Sequence, residues 1–210
     1  MPKVHPFNPL SRESLAASVA GRLLSTDVVQ LSDFHEATGA GIYAIYYVGS
    51  FLPYAPIAEA TRNNSSAAPI YVGKAEHPGA RKGLRTTPRG DASPLRKRIK
   101  EHADSIRLAT TTLRLEDFKF RFLPVDDIWI PLGESTMIQW FQPIWNVVVD
   151  GFGNHAPGAG RHLQRASSWD VLHPGRGFAR NLPAGEPPKS IKARISKHLR
   201  ERSPLLEPPL

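Results

Sequence analysis

The chain has 210 residues, of which 40% are hydrophobic, so it can bury a core and does not have the composition of a disordered segment. It contains no cysteine, which excludes a disulfide framework, a thiol nucleophile and a cysteine-bound zinc site, and predicts a cytoplasmic location by default. The formal net charge of +8 indicates a polyanionic partner, usually nucleic acid, and no apolar run is long enough to span a bilayer.

The first third of the chain predicts one helix and one strand. Apolar residues at helical spacing predict a helix at Arg12–Leu24, with Ser11 as its N-cap. Residues 41–48 predict a strand, and because both of its faces are apolar we expect it in the interior of its sheet. Residues 50–68 are rich in Ser, Asn and Pro and favour a loop insertion.

The middle of the chain continues with a short strand at 69–73 and a second loop at 75–94, which is rich in Arg, Gly and Pro. Ser93 followed by Pro94 is typical of a helix start, and the helix is predicted to end near Leu108.

The last third predicts three further elements. Alternation at 118–122 indicates a strand with one solvated face, and residues 131–142 form a helix that Pro143 ends. Residues 151–188, rich in Gly, Pro, Arg and His, form either an ordered wrap or a flexible arm. A basic helix is predicted at 189–202.

The second predicted helix directs one arginine and one histidine toward the body of the protein. At about 100° per residue, Leu95, Ile99 and Ile106 form one narrow stripe. His102 lies inside this stripe and Arg98 at its edge. A buried guanidinium is costly unless it is paired, so these residues alone favour an internal ion pair and a hydrogen-bonded core histidine.

The two central strands carry tyrosines in a distinctive pair of motifs. The tripeptide Gly-Ile-Tyr that ends at Tyr43 and the tripeptide Tyr-Val-Gly that begins at Tyr71 resemble the two-part motif that names the GIY-YIG nucleases. In that family a helix with an arginine, a later glutamate and an asparagine follow, and the matching residues here are Arg98, Glu134 and Asn146. The resemblance is strong because five short pieces occur in the right order.

Two departures from the family pattern narrow the resemblance. The motif halves are separated by 27 residues, whereas the family usually has a short hairpin between them. A further 20 residues precede the helix. These insertions, together with His102, look like the type II restriction enzymes that cut the palindrome CCGCGG. The tail segments Gly153-Asn-His155, Ser168-Trp-Asp170 and His173-Pro-Gly-Arg176 are also similar to that branch.

The resemblance implies an α+β fold, with a small central antiparallel β-sheet of about three strands flanked by helices, loop insertions, and N- and C-terminal extensions. We expect a single GIY-YIG-type nuclease domain over residues 1–210. Its expected parts are a motif core at 41–146, insertions at 49–68 and 74–93, an N-terminal helical arm at 1–30, and a basic C-terminal DNA-binding extension at 151–210.

The resemblance also implies a Mg²⁺-dependent, site-specific deoxyribonuclease. The expected catalytic residues are Tyr43, Tyr71, Arg98, His102, Glu134 and Asn146. Glu134 is the expected ligand of one Mg²⁺ per active site, and Arg98 is expected to contact the scissile phosphate. A tyrosine is the candidate general base, with His102 as acceptor of its proton, and the sequence leaves open which tyrosine contacts the water. The asparagine is expected to orient the phosphate or a tyrosine.

Basic residues in the glycine- and proline-rich regions are expected to contact double-stranded DNA, because arginine and lysine bind guanine edges and phosphates. The expected DNA-binding residues are Lys74, Arg81, Arg85, Arg89, Arg161, Arg165 and Arg176. A palindrome is cut on both strands most simply by a homodimer, and no membrane partner is expected. The helix Arg12–Leu24 is a candidate dimer element, although packing against the sheet explains its apolar face equally well.

Two other functions also fit the sequence. A GIY-YIG nuclease of the homing or repair type is disfavoured because those enzymes usually carry a separate DNA-binding module, and the chain shows no zinc-ligand spacing. A non-catalytic basic nucleic-acid-binding protein would keep the positive charge without any need for Glu134.

Overall fold

The structure, a computed structural model, is built on an antiparallel sheet with helices on both faces. It describes residues 8–63, 68–77, 93–154 and 165–201. The four strands follow the order β1 (Val29–Gln30), β4 (Phe118–Pro124), β2 (Gly41–Tyr47) and β3 (Tyr71–Ala75) across the sheet. The predicted α+β class is confirmed, and the two-residue β1 adds an edge strand to the three that were expected.

The helices agree closely with the predicted ones where the sequence carries an N-cap residue or a clear apolar periodicity. They are α1 (Arg12–Leu24), α2 (Ala55–Asn63), α3 (Pro94–Leu108), α4 (Ile130–Phe141), α5 (Ile144–Val147), α6 (Ser168–Leu172) and α7 (Pro188–Glu201). The predicted caps are confirmed, since the Ser11 and Ser93 hydroxyls accept the backbone N–H groups of Ser14 and Arg96. Within the described ranges, no helix combines the length and apolar character needed to cross a bilayer.

Strand β2 divides the interior into two cores. All seven of its residues are buried, which confirms its predicted interior position. Because strand side chains alternate between faces, Tyr43, Ile45 and Tyr47 face one core and the even-numbered residues face the other. The first core is completed by α2, α3, α5, α6 and α7, and the second by α1 and α4.

Helix α4 lies unusually close to the sheet. A Cβ atom on Gly133 would lie 2.7 Å from the side chain of Val19 in α1 and 2.8 Å from that of Ile42 in β2, so a larger residue would force these side chains to shift. The close packing brings the next residue, Glu134, beside the strands that carry the two motif tyrosines.

The prediction of a loop at 50–68 was wrong for its central part, which forms α2. Tyr54, Ile57, Ala58 and Thr61 are buried and lie at i, i+3, i+4 and i+7, the spacing of a helix face. The polar composition of the insertion hid this short apolar stripe.

The predicted solvated face of β4 was also wrong, because Arg121 is only 2% exposed. Helix α1 covers this face of the strand. The Arg121 guanidinium lies over the ring of Tyr46 at 5.2 Å and donates to the carbonyl of Leu24 at the C-terminus of α1. A carbonyl end of a helix favours a cation, which offsets part of the cost of burying one.

The terminal segments pack against the body of the protein. The apolar face of α1, with Ala16, Ala20 and Leu23 buried, contacts α4 and β4 within the same chain. Of the two explanations for the apolar face of α1, a dimer contact or packing within the chain, the structure shows packing within the chain. At the other end, Trp169 of α6 is fully buried, so the described part of the region 151–188 agrees with the ordered wrap, whereas residues 155–164 lie outside the described residues.

A chain of hydrogen bonds crosses the first core where aromatic rings surround His173. The indole N–H of Trp145 donates to the Tyr54 hydroxyl at 2.9 Å, and that hydroxyl lies 2.8 Å from His173 Nε2. The Thr112 hydroxyl lies 2.9 Å from His173 Nδ1. All partners are satisfied if Tyr54 donates to a neutral imidazole whose Nδ1–H donates to Thr112. Burial favours the same uncharged form and lowers the pKa of His173 to about 3.

We expect this histidine to make the fold less stable in mild acid. Below its ordinary pKa of about 6.5, the unfolded chain binds a proton that the folded chain refuses, so stability falls as the pH drops from 6.5 toward 3. Between pH 6.5 and 5, above the range where most carboxylates titrate, His173 should cost about 1.5 to 2 kcal/mol of unfolding free energy.

Urea unfolding of the wild type and of His173→Gln across this range measures the effect. The glutamine variant should be less stable at pH 7 and should show a much flatter pH dependence. Equal slopes for the two proteins would show that the histidine is not buried in its neutral form.

Candidate active site

The register of β2 and β3 brings the two motif tyrosines together. Tyr43 pairs with Gly73, and Tyr71 pairs with Ile45, so the tyrosines are diagonal neighbours on one face of the sheet. Their ring centroids are 6.2 Å apart. The glycine is needed here because a Cβ atom on it would lie 2.4 Å from the Tyr43 hydroxyl.

Helix α3 packs on these tyrosines and supplies a histidine to them. The predicted stripe is confirmed: His102 is 1% exposed and lies with the buried apolar residues of α3. Its Nε2 atom is 2.6 Å from the Tyr43 hydroxyl, and its ring centroid is 5.1 Å from that of Tyr71. The histidine is therefore placed to exchange a proton with Tyr43.

Arg98 lies one turn before His102 and borders both phenols. Its Nη1 atom is 3.0 Å from the Glu101 carboxylate, and its Nη2 donates to the carbonyl of Gly153 at 2.8 Å. Arg98 is therefore paired, but with a partly exposed acid of its own helix rather than in a fully internal ion pair. The guanidinium remains 23% exposed, so it also borders solvent.

The environment of the two phenols holds them protonated in the DNA-free protein. Burial raises the pKa of Tyr43 well above its ordinary value, and the neighbouring Tyr71 raises it further, whereas the Arg98 guanidinium acts to lower it. Burial also raises the pKa of Tyr71, again against the effect of Arg98. A water-activating phenolate therefore requires a proton acceptor within the site.

The carboxylate expected to bind metal lies at the edge of the sheet. Glu134 is the fifth residue of α4, so it is past the first turn, where a helix dipole alone would account for an acid. Strand β3 is the last strand in the sheet order, which allows the α4 side chain to lie beside it. The carboxylate is close enough to Tyr43 and Tyr71 to raise the pKa of both. The structure thus brings Tyr43, Tyr71, Arg98 and Glu134 into one site.

Lys74 of β3 lies beside Glu134, the carboxylate expected to bind metal. Its Nζ is 3.0 Å from Glu134 and 3.4 Å from Glu76. Burial by itself would lower the pKa of Lys74, but the two carboxylates raise it overall. Glu76 was not among the residues expected at this site, although it is the acid that directly follows β3, two residues beyond Lys74.

These residues fit a hard cation such as Mg²⁺. The Glu134 carboxylate already attracts a cation and is 23% exposed, so an ion and its water ligands can reach it. No cluster of three or more His, Asp or Glu side chains suited to metal occurs in the described part of the chain. Such an ion would rest on Glu134, with remaining ligands from water and phosphate oxygens.

Asn146 binds the backbone of β3. Its amide nitrogen donates to the carbonyl of Val72 at 2.8 Å, and its amide oxygen accepts the Val72 N–H at 2.8 Å. The side chain thus takes the place of a neighbouring strand on the open edge of β3. Of the two expected roles, this geometry supports the orientation of a tyrosine, since Tyr71 is the adjacent residue.

The segment 151–154 closes the opposite side of the site and was not expected from the sequence. The ring of Phe152 stacks on His102 with centroids 4.4 Å apart and planes 17° from parallel. A cleft of about 250 Å³ runs between this segment and α3 and reaches Arg98 and His102. The available signal was Phe152, an aromatic residue between two glycines.

The expected DNA-binding residues differ in whether the structure describes them and in how exposed they are. Arg81, Arg85, Arg89 and Arg161 lie outside the described residues. Arg165 is exposed, as a DNA contact requires. The prediction that Arg176 contacts DNA was wrong. This residue is 3% exposed, and its guanidinium binds Asp170 and backbone carbonyls, so it contacts the protein itself.

Comparison with known families agrees with this site. The family model described as the Eco29kI GIY-YIG domain matches residues 35–199, which are 165 of the 210 residues. The match includes both tyrosine strands, α3, Glu134 and the segment 151–154. A search among curated proteins found no match. The chain therefore belongs to the Eco29kI GIY-YIG family, a family of restriction endonucleases.

Proposed function

We propose that the protein is a type II restriction endonuclease that cuts both strands of DNA at a short GC-rich palindrome, with CCGCGG as the candidate sequence, by Mg²⁺-dependent phosphodiester hydrolysis. The observation that carries this proposal is the convergence of two phenols, a guanidinium and a carboxylate at one sheet edge, in a chain of this family. A cytoplasmic location stays a prediction.

Arg98 is the residue proposed to bind the scissile phosphate. Its guanidinium is half-buried and is held from two sides by Glu101 and the Gly153 carbonyl, so its direction is fixed before DNA arrives. A preorganised guanidinium stabilises the extra negative charge that develops on the phosphate during attack.

The two phenols differ in solvent exposure, which suggests a different role for each of them in proton transfer. Tyr43 is inaccessible to solvent, whereas Tyr71 is partly exposed, so the attacking water meets Tyr71. We propose that Tyr71 takes the proton from the water and passes its own to Tyr43, which passes one to His102 over the 2.6 Å contact. The histidine must be uncharged to accept it.

Glu134 and Lys74 are proposed to bind the metal ion and a DNA phosphate, respectively. When Mg²⁺ is bound, it neutralises phosphate charge and assists the leaving oxygen. A metal ion on Glu134 would compete with Lys74 for that carboxylate, and the ammonium group of Lys74 would then be available to a DNA phosphate. The expected phosphate contact of Lys74 is thus compatible with its position.

Two-strand cleavage of a palindrome is served by a homodimer on DNA, in which each protomer supplies one active site. Since α1 uses its apolar face within its own chain, the dimer surface is to be sought on other elements. Arg165 is a candidate for contact with DNA outside the active site.

Glu134→Gln tests the carboxylate that is proposed to hold the metal. The amide keeps the shape of the side chain but removes its charge, so cleavage should fall by at least about 100-fold, whereas DNA binding should persist. Plasmid cleavage with Mg²⁺ and a gel-shift assay measure the two effects. Glu116→Gln, at an exposed acid paired with Arg114, is the matched control and should cleave like the wild type. If Glu134→Gln cleaves normally, or if neither protein cleaves, the proposed mechanism is wrong.

Tyr43→Phe tests the proposed path of the proton to His102. Loss of the hydroxyl should reduce the single-turnover cleavage rate by about 100-fold or more, with DNA affinity retained. Tyr46→Phe is a close control, because Tyr46 is buried on the same strand but faces the second core, and its hydroxyl has no partner among the described residues. Equal rates for the two variants would exclude Tyr43 from proton transfer.

Incubation with plasmid DNA and Mg²⁺, followed by sequencing of the ends, tests the substrate. We expect discrete fragments that share a GC-rich palindrome, and an affinity that weakens as salt rises, because phosphate contacts release counterions. Sedimentation should show a dimer on DNA. Random ends, or a monomer both free and on DNA, would contradict the proposed specificity or assembly.

A further inference from the structure

We infer that the buried ion pair between Arg176 and Asp170 positions Arg98 and His102 for catalysis, acting through the segment 151–154. The inference rests on the proposed roles of Arg98 and His102 in hydrolysis. Neither member of the pair lies among the groups proposed to contact the substrate, so both are positioning residues. We call the pair the clamp.

The clamp binds the segment 151–154 through its backbone carbonyls. The Arg176 Nε donates to Asp170 at 2.7 Å, and its two Nη atoms donate to three carbonyls of the segment. These acceptors are Gly151 at 2.9 Å, Phe152 at 3.2 Å and Asn154 at 3.1 Å. The guanidinium also lies over the rings of Trp169 and Phe178, at 4.5 and 5.0 Å. One side chain therefore fixes almost every backbone carbonyl of the segment.

The same segment makes the contacts that orient two proposed active-site residues. The Phe152 ring stacks on His102, and the Gly153 carbonyl accepts from Arg98. The carbonyl held by neither Nη atom of Arg176 is that of Gly153, which points to Arg98 instead. The carbonyls of 151–154 are thus divided between two arginines, the buried Arg176 and Arg98, which is proposed to bind phosphate.

The other partner of the clamp is itself held in place. Asp170 accepts a hydrogen bond from the Ser167 hydroxyl at 2.7 Å through the oxygen that Arg176 Nε does not use. The backbone N–H of Trp169 donates to the carbonyl of Asp150 at 2.9 Å, which joins α6 to the start of the segment. A displacement of Arg176 or Asp170 would therefore be transmitted to the segment.

Stability alone does not explain an ion pair at this depth. Two well-packed apolar side chains of similar volume often stabilise a fold as well as a buried ion pair does, because the charges lose their hydration. An apolar pair cannot bind carbonyls, whereas the planar guanidinium presents five N–H groups in fixed directions. Lysine has one nitrogen and cannot reach acceptors spread around the segment, so Arg176→Lys should restore function only in part.

The test compares Arg176→Met, Arg176→Lys and Asp170→Asn with Arg121→Met. Arg121 is a matched control, since it is also almost fully buried and also binds a backbone carbonyl, but it lies on the second-core face of the sheet. All variants are measured below the onset of unfolding of the least stable one. The readouts are the single-turnover cleavage rate, the DNA affinity and the NMR shift of the His102 Cε1 proton, which senses the ring current of the stacked Phe152.

We expect Arg176→Met to reduce the cleavage rate by about 100-fold, because displacement of catalytic groups by about 1 Å has that cost. DNA affinity should be unchanged, and the His102 proton should lose its ring-current shift. Arg176→Lys and Asp170→Asn should be intermediate, and Arg121→Met should match the wild type in all three readouts. Should Arg176→Met fail to fold, the two milder variants are compared in its place.

An unchanged His102 signal and cleavage rate in folded clamp variants would overturn the inference. So would an equal loss in Arg121→Met, because the effect would then be general destabilisation. If the wild type cuts no DNA, the proposed function fails, but the NMR comparison still decides whether the clamp positions His102.

Discussion

The antiparallel register of β2 and β3 is the constraint on which the site depends. With Gly73 opposite Tyr43, the hydroxyl of this tyrosine passes over a residue without a side chain and reaches His102. Tyr71 then lies diagonally beside it on the same face. A slip of one residue would turn Tyr71 to the other face of the sheet and separate the two phenols. The bulk of Tyr43 and the absence of bulk at Gly73 favour the observed register.

The position of β3 at the edge of the sheet gives the site its electrostatic character. Groups on α3 lie against one face of β3, while Glu134 and Lys74 belong to its other side, and only an edge strand allows the two sets to influence each other. The edge would normally expose unpaired backbone groups, and Asn146 pairs with them at Val72. The strand is therefore not open to another strand at this point.

The first core combines aromatic packing with buried polar groups that hold the C-terminal region against the site. His173, Arg176 and Asp170 are each at most 6% exposed, and each has its hydrogen-bonding capacity directed to partners within the chain. Buried polar groups of this kind are costly when left unsatisfied, so they select one arrangement of the segments that they join. In this protein the segments so joined include 151–154, which contacts Arg98 and His102.

Local sequence determined much of the secondary structure and the membership of the site. Ser11 and Ser93 predicted helix starts, and the stripe through His102 predicted the face that α3 buries, because caps and periodicity involve neighbours in the chain. Glycine, tyrosine, arginine and glutamate at the motif positions indicated which residues would meet, and the structure brings them together. Helix α2 shows the limit of composition, since its stripe was present but lay among polar residues.

Only the tertiary structure decided which charges are buried and what they bind. Arg121 and Arg176 were expected to face solvent or DNA, yet one binds a carbonyl 97 residues earlier and the other binds the turn after α5. Lys74 of strand β3 is shared between Glu76 and Glu134, and Glu134 belongs to helix α4. The physical reason is common to all of them: the free energy of a buried charge depends on partners that the fold brings near, and neither periodicity nor composition contains the position of those partners.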